Sequence, residues 1–505
     1  MSGFVTGFGN TDLKKVLYMF EKIRHRGPWL SGIWEDQHGS IMAQNYLHAD
    51  TRAADKNNYV PLSDEHGRRI CYDGQIGNSE EIADAEGVEK GPFLEERILL
   101  ALYRKYGSAM LFFLNDAIFS FVIHDGEKIF AARDLLGIKT LFYGKKGNTL
   151  YLVSELKSLV PVTDDVHEFP PAHSMDREGS LSRYDTLPST PPGLLKGGHE
   201  RMGRHIGEII KKSVHSKIDF SSPTAALLSG GMDSSVVTSV AAQYLKETMG
   251  KHARLKTFSV GIKESPDIHY ARIMASHLGT DHEELIVGID DMVECLEEVI
   301  YYLESFDPSL VRSSVSNFLI SRYAREKGFE VLLSGEGGDE IFCGYTYLKK
   351  FPDEELFSRQ MECIDYLHNN AALRLDRMNQ AHSIRVVAPL ISAELFRYAL
   401  RIPSRFKLRA NGNKKIEKWI FRKAYEKSLP RTITRRIKQE FSQGSGAAGL
   451  LSSYFEKCIS DREYTRARED SPFIRSKEEL HYFRLFSERF GTGKAVDTVG
   501  QWVSF

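Results

Sequence analysis

The chain divides into two textures by the spacing of its apolar residues. From about residue 1 to 185, short runs alternate apolar and polar positions between Gly, Asn and Asp turns, as in Ser31-Gly-Ile-Trp-Glu35 and Ala117-Ile-Phe-Ser-Phe-Val-Ile123. Lys128 to Arg133, Thr140 to Gly144 and Leu150 to Ser154 repeat the pattern. A period of two bounded by turn residues predicts antiparallel sheet. Helical spacing is confined mainly to Leu13 to Arg24 and Glu95 to Lys105, so this half is expected to be an α+β sandwich. Residues 187–200, rich in Pro and Gly, predict a linker. Beyond them, short apolar runs (Ala225 to Leu228, Glu330 to Leu333) alternate with longer helical segments at Asp233 to Glu247, Asp267 to Leu278 and Val315 to Glu326. Strand-then-helix alternation predicts βαβ units and a parallel sheet, followed from about 350 by a mostly helical part. The expected domains are therefore 1–186 and 201–505, joined by the linker.

Composition narrows the class without naming an activity. The 505 residues suffice for two cores, and 42% hydrophobic with 27% charged residues is a globular balance. With 67 basic against 68 acidic residues the net charge is -1, which argues against a broad surface for nucleic acid or anionic membrane. Five scattered cysteines, none in a C-x-x-C pair, fit buried thiols in a reducing compartment better than a disulfide frame or zinc site. No apolar stretch approaches the ~18 residues of a membrane span, and the start lacks the charged and apolar regions of a signal peptide. A cytoplasmic protein is expected.

The segment richest in chemistry is Leu228-Ser-Gly-Gly-Met-Asp-Ser-Ser235, after a buried strand and opening a helix. Gly230 and Gly231 allow a tight turn and close backbone approach to a ligand. The helix start leaves N–H groups free for an anion, and the hydroxyls of Ser229, Ser234 and Ser235 add donors. Asp233 within an anion loop needs a cation between it and phosphate, which makes Mg²⁺ its natural partner. There is no G-x-x-x-x-G-K-[ST], so the loop suits a departing pyrophosphate rather than a transferring γ-phosphate.

Ser229 to Ser235 resembles the pyrophosphate loop of the N-type ATP pyrophosphatases. Together with Ser334-Gly-Glu-Gly-Gly-Asp-Glu-Ile-Phe-Cys-Gly-Tyr345 and Arg436 to Gly446, it is similar to the asparagine synthetase family. The first half resembles that family's glutaminase domain through His25-Arg-Gly-Pro28, Ala132 to Lys139 and Ser154 to Lys157. The resemblance implies an N-terminal nucleophile-type sandwich followed by an α/β adenine-nucleotide α-hydrolase-like domain. It also implies nucleotide contacts from Leu227, Val260, Ser229, Gly230, Gly231, Ser234, Ser334 and Gly335, with Mg²⁺ on Asp233 and Asp339. In the same frame Lys438 offsets charge at the α-phosphate, Glu336 deprotonates the attacking nitrogen, and Ser309 and Arg312 line the acyl-substrate pocket. Read singly, Asp339 and Glu340 would cap a helix and Lys438 would lie on a solvated basic face; the shared motif frame weighs against that.

Two departures change the expected function. The family's N-terminal cysteine is replaced by Ser2, its glutamine-gripping arginine falls at Tyr46, and its Asn-Gly-Glu reads Asp73-Gly74-Gln75, with Glu95 the nearest candidate for the glutamine ammonium contact. A hydroxyl is a weaker nucleophile than a thiol, and loss of the arginine removes a charge-assisted clamp. The expectation is a degenerate glutaminase. The second departure is Ser383 to Ser392, where Arg385, Val387 and Ser392 replace an acid, an arginine and an aspartate, leaving the acyl substrate open. The chain is thus expected to be an ATP- and Mg²⁺-dependent, AMP- and pyrophosphate-forming amide ligase. It would join aspartate or a related small carboxylic acid to ammonia or an amine without glutamine hydrolysis, with a homodimer compatible. The alternatives are a lactam- or lasso-forming synthetase and a non-catalytic nucleotide-binding regulator.

Overall fold

The computed structural model describes residues 2–48, 60–114, 116–126, 128–176, 178–412 and 414–501. The chain forms two units. The first comprises Met1–Leu187 with the later segments Leu367–Asn369 and Ser487–Val499; the second comprises Pro188–Tyr366, Asn370–Phe486 and Gly500–Phe505.

The first unit contains two antiparallel six-stranded sheets. In one the spatial order is Val166–Glu168, Phe142–Lys146, Thr149–Val153, Ser2–Phe8, Ile41–Tyr46, Leu30–Glu35. In the other it is Leu181–Arg183, His173–Met175, Lys128–Arg133, Ala117–Asp125, Arg69–Ile76, Leu62–Ser63. Alternation of side chains across a strand is what lets one row face a shared core. Phe4, Met42 and Leu152 from the first sheet pack with Cys71, Val122 and Ala131 from the second. The opposite row of the second sheet, with Ile70, Phe119 and Phe121, packs on Ile98, Leu99 and Leu102 of the helix Leu94–Tyr106. The expected strands are present, and Ser2–Phe8 joins them although its sequence does not alternate. All seven of its residues are buried, so neither row is polar.

The second unit is built on a parallel sheet in the order Asp281–Ile286, Lys256–Gly261, Thr224–Leu227, Val331–Leu333, Arg385–Val387. The earliest of these strands is central, and the chain winds outward from it in both directions. In open α/β sheets that reversal leaves a crevice beyond the carboxyl ends of the central strands. Helices Met232–Met249, Pro266–Leu278 and Pro308–Glu326 connect or follow the strands. The last starts earlier than its apolar period suggests, because Asp307 accepts from the Leu310 N–H and Pro308 takes the first helical position. The region after 350 is mainly helical, but it also contributes the edge strand Arg385–Val387 and the hairpin Arg409–Asn411 with Lys414–Ile416. Among the described residues no helix is long and apolar enough to cross a membrane.

Candidate active site

The strands Thr224–Leu227 and Val331–Leu333 are hydrogen-bonded neighbours, so the loops leaving their carboxyl ends meet. The first is Leu228 to Gly231. Gly230 has φ +65°, and a Cβ there would stand 2.3 Å from the Tyr270 carbonyl carbon, so glycine is required both by the turn and by the close approach. Ser229 Oγ lies 3.1 Å from Ser234 Oγ and accepts from the Gly231 N–H at 3.3 Å. No side chain caps the helix Met232–Met249, so its first N–H groups remain available to an anion. Arg436 braces the loop from outside by donating to the Ser229 carbonyl at 2.8 Å.

The second loop, Ser334 to Gly338, folds over the first. A Cβ on Gly335 would meet the Ser234 nitrogen at 2.4 Å, and one on Gly338 would meet Asp233 Oδ1 at the same distance. Asp233 and Asp339 are thereby brought to one cavity, lined also by Leu227, Ser229, Gly231 and Ser234 from the first loop. Ser334, Gly335 and Glu336 from the second loop, with Val260, Ser309 and Lys438, complete the set that the sequence places there. Gly230 supports the turn without lining the cavity.

Charge in the cavity is paired. Lys438 Nζ lies 2.6 Å from Asp339 Oδ2. Lys418, which sequence reasoning missed, has its ammonium between Asp233 and Asp339, 2.8 Å from Asp339 Oδ1. Arg374, also missed, forms an ion pair with Glu336. Burial pushes the Asp233 carboxyl up despite Lys418 beside it. Burial acts the same way on Asp339, but the Lys418 and Lys438 ammoniums outweigh it and hold that carboxyl well below the usual range. Lys438 is raised in turn, because Asp339 and Asp233 more than offset its burial. Neither Lys418 nor Arg374 carries a local signal. Each sits in a mixed charged and apolar stretch of the kind that faces solvent on ordinary helices.

One expectation about the acyl-substrate side is corrected, and one open question there is narrowed. Arg312 does not line the cavity; its Nε donates to Glu478 at 2.9 Å, and that carboxylate also accepts from Tyr482 at 2.7 Å. The guanidinium is drawn to the helix Lys477–Phe490 because Glu478 is buried and needs a counter-charge. The segment Ser383 to Ser392 contributes no residue to the cavity either. Arg385 and Val387 belong to the edge strand, and the Ser392 hydroxyl caps the helix Ala393–Leu400 by accepting from the Leu395 N–H at 3.4 Å.

In the first unit, Ser2 and Tyr46 lie on paired strands of one sheet, and Asp73 and Gln75 on a strand of the other. Ser2 is 2% exposed; its N–H donates to Asp73 Oδ1 at 3.0 Å and its hydroxyl to the Tyr72 carbonyl. Asp73 also accepts from Arg26 Nη2 at 2.8 Å and stands 3.1 Å from Lys139 Nζ. Arg26 reaches on to the Ser2 carbonyl and to Glu155, both buried. Gln75 follows two positions along the same strand as Asp73. Tyr46 pairs with Ser2 in register and donates its hydroxyl to Glu96 at 2.9 Å. Glu95 is occupied by the Tyr72 hydroxyl at 2.7 Å and the Ile76 N–H at 2.8 Å.

Comparison with known proteins agrees with this geometry and overturns one expectation. A family model described as asparagine synthase matches residues 205–362 and 349–483, and one described as glutamine amidotransferase domain matches 1–178. A Schizosaccharomyces pombe protein named probable asparagine synthetase (glutamine-hydrolyzing) is 32% identical, over 97% of this chain and 92% of its own length. Asparagine synthetase (glutamine-hydrolyzing) of Triphysaria versicolor is 32% identical over 94% of this chain and 83% of its own. Asparagine synthetase B (glutamine-hydrolyzing) of Escherichia coli is 30% identical over 96% and 90%. The expectation of ligation without glutamine, argued from Ser2, Tyr46, Asp73 and Gln75, is thereby corrected. The amidotransferase match spans residues 1–178 and the relatives are named for glutamine hydrolysis, so the four altered positions do not outweigh the match. The non-catalytic alternative falls with it. The chain belongs to the asparagine synthetase family and is an AMP-forming carbon–nitrogen ligase.

Proposed function

We propose that the chain makes asparagine or a close analogue, adenylating the side-chain carboxylate of aspartate with ATP and amidating it with nitrogen drawn from glutamine. The observation that carries this reading is the cavity at the carboxyl edge of the parallel sheet. There an uncapped helix start and two serine hydroxyls face the Asp233–Asp339 pair. Residues 1–186 act as the amidotransferase domain, 187–200 as the connection and 201–505 as the synthetase domain.

The donor set fits a divalent ion. Asp233 Oδ1 is buried without a hydrogen-bond partner, and hard carboxylate oxygens suit Mg²⁺. Asp233 and Asp339 would hold the ion through their carboxylate oxygens. Among the described residues no cluster of three or more His, Cys, Asp or Glu stands ready as a complete cage. When bound, Mg²⁺ supplies charge neutralisation on the leaving pyrophosphate.

The chain's own groups do the rest. The N–H groups of Gly231 and the helix start, with Ser229 and Ser234, hold phosphate oxygens. Leu227 and Val260 flank the base. Lys438 offsets the negative charge that accumulates as a carboxylate oxygen attacks the α-phosphorus. Glu336 takes a proton from the nitrogen that then displaces AMP, while Arg374 fixes its carboxylate. In the first unit the Ser2 hydroxyl attacks the glutamine amide carbon, expelling ammonia and leaving an ester that water converts to glutamate. Four of the five cysteines are buried and all are free, which suits a cytoplasmic setting.

The test is turnover with ATP, Mg²⁺, aspartate and glutamine, reading pyrophosphate, glutamate and asparagine. All three are expected. ADP and inorganic phosphate in place of pyrophosphate would overturn the adenylation, and pyrophosphate without glutamate would overturn Ser2 as nucleophile. Ser2→Ala is expected to abolish glutamate release while added ammonium still drives pyrophosphate release.

A further inference from the structure

Lys418 is placed with unusual constraint. It is 1% exposed, stands at the start of the helix Trp419–Ala424, and adopts φ +51°, a left-handed conformation that disfavours a side chain with a Cβ. Its stem runs through a slot that exists because residue 344 is glycine. A Cβ there would be 2.1 Å from Lys418 Cε and 2.0 Å from Asp339 Oδ1. The ammonium at the end of this stem touches both Asp233 and Asp339, the two carboxylates that the preceding reading gives to a divalent ion. The neighbouring Glu417 is not available to it, being held by Lys349 and Arg422, each at 2.6 Å.

Charge bookkeeping gives this placement a meaning. Asp233 and Asp339 carry two negative charges; Lys418 and Lys438 carry two positive ones. The four groups balance in a buried setting. A divalent ion arriving alone would leave the set two charges positive where an uncompensated charge is costly, whereas the negative charge of pyrophosphate arriving with it more than offsets that excess. Two carboxylates directed at one point also repel each other unless a cation sits between them.

We propose that Lys418 is a resident counter-cation of the metal site. It holds Asp233 and Asp339 in place before ligand binds, and it excludes a free divalent ion, so that metal is accepted only together with phosphate. This rests on the reading of Asp233 and Asp339 as divalent-ion ligands. It adds that metal and lysine compete for the same two carboxylates.

The experiment is a Mn²⁺ titration followed by electron paramagnetic resonance, with and without pyrophosphate and without turnover. The unsubstituted chain is expected to bind Mn²⁺ only when pyrophosphate is present. Lys418→Met is expected to bind Mn²⁺ without pyrophosphate, about tenfold or more tightly than the unsubstituted chain. Adding Asp233→Asn to that variant should abolish the gain, and Lys418→Arg, which keeps the charge, should exclude the ion as before. A folded Lys418→Met that binds Mn²⁺ no better than the unsubstituted chain overturns the proposal. So does stoichiometric Mn²⁺ binding by the unsubstituted chain alone, a result that stands even if the variant does not fold. Normal pyrophosphate release with either of these outcomes defeats this inference and leaves the function intact, whereas absent release with the expected Mn²⁺ pattern does the reverse.

Discussion

At the scale of single residues, buried charge is paired around Asp73 and Asp339, whereas the buried carboxyl of Glu96 meets a tyrosine hydroxyl. Burial lifts its carboxyl from 4.5 to about 7, the Glu95 charge adds to this, and the Tyr46 hydroxyl bond opposes it. Below about pH 4.5 the group is protonated in both folded and unfolded chains. Between 4.5 and 7 the unfolded chain releases the proton first, so folded stability falls as pH rises through that window. The loss is expected to be about 2–3 kcal/mol. Glu96→Gln, which keeps an acceptor for Tyr46, should flatten this dependence; thermal melts of both proteins at pH 5 and 7.5 would show it. An unchanged slope would assign the pH dependence elsewhere. Arg374 illustrates the opposite case. It pairs with Glu336 and packs its guanidinium 5.5 Å from the Phe441 ring centroid, so the carboxylate proposed as base has one fixed orientation.

At the scale of elements, the segment Ser383 to Ser392 shows how a sequence departure acquires a structural explanation. Its three changed positions invite a specificity reading, yet they serve an edge strand and a helix cap. Val387 pairs with Leu333 in the sheet, and Ser392 opens the helix Ala393–Leu400. Ser392→Ala should therefore cost about 1 kcal/mol of stability in urea denaturation and leave the KM for aspartate unchanged. A raised KM with unaltered stability would return the segment to substrate recognition. The loops after Leu227 and Leu333 are the complementary case. Gly335 and Gly338 of the second are required by its approach to Ser234 and Asp233, so the first turn and the carboxylate pair form together.

At the scale of the whole molecule, the chain forms two units with separate cores, to which the proposed function gives the two halves of one reaction. Each has buried apolar clusters of its own, around Phe121 and Phe4 in the first and around Leu348 and Leu356 in the second, so equilibrium unfolding in urea is expected to show two transitions. Mg²⁺ with pyrophosphate at a hundred times its dissociation constant should stabilise only one of them, by about 2.7 kcal/mol. Tryptophan fluorescence and circular dichroism, followed with and without the ligand pair, would separate the two. A shift of both transitions together would mean that the units unfold as one.

The layered first half, the parallel sheet of the second and the strand–loop–helix turn at Ser229 to Ser235 are legible in the sequence. Each rests on short-range physics: apolar periodicity, turn residues and a helix start within a few positions of one another. Strands buried on both faces, such as Ser2–Phe8, lack that periodicity and emerge only in the folded sheet. The resemblance to a known family extends the reading to Asp339 and Lys438, and the cavity brings both to Asp233. It misleads where the four departures at Ser2, Tyr46, Asp73 and Gln75 suggest a lost activity. Tertiary structure alone decided which charges meet. Lys418 reaches Asp233 across 185 positions, Arg374 takes Glu336, and Glu478 draws Arg312 aside. Such pairings follow from the need of each buried charge for a partner in space, and nothing in the neighbouring sequence records who that partner is.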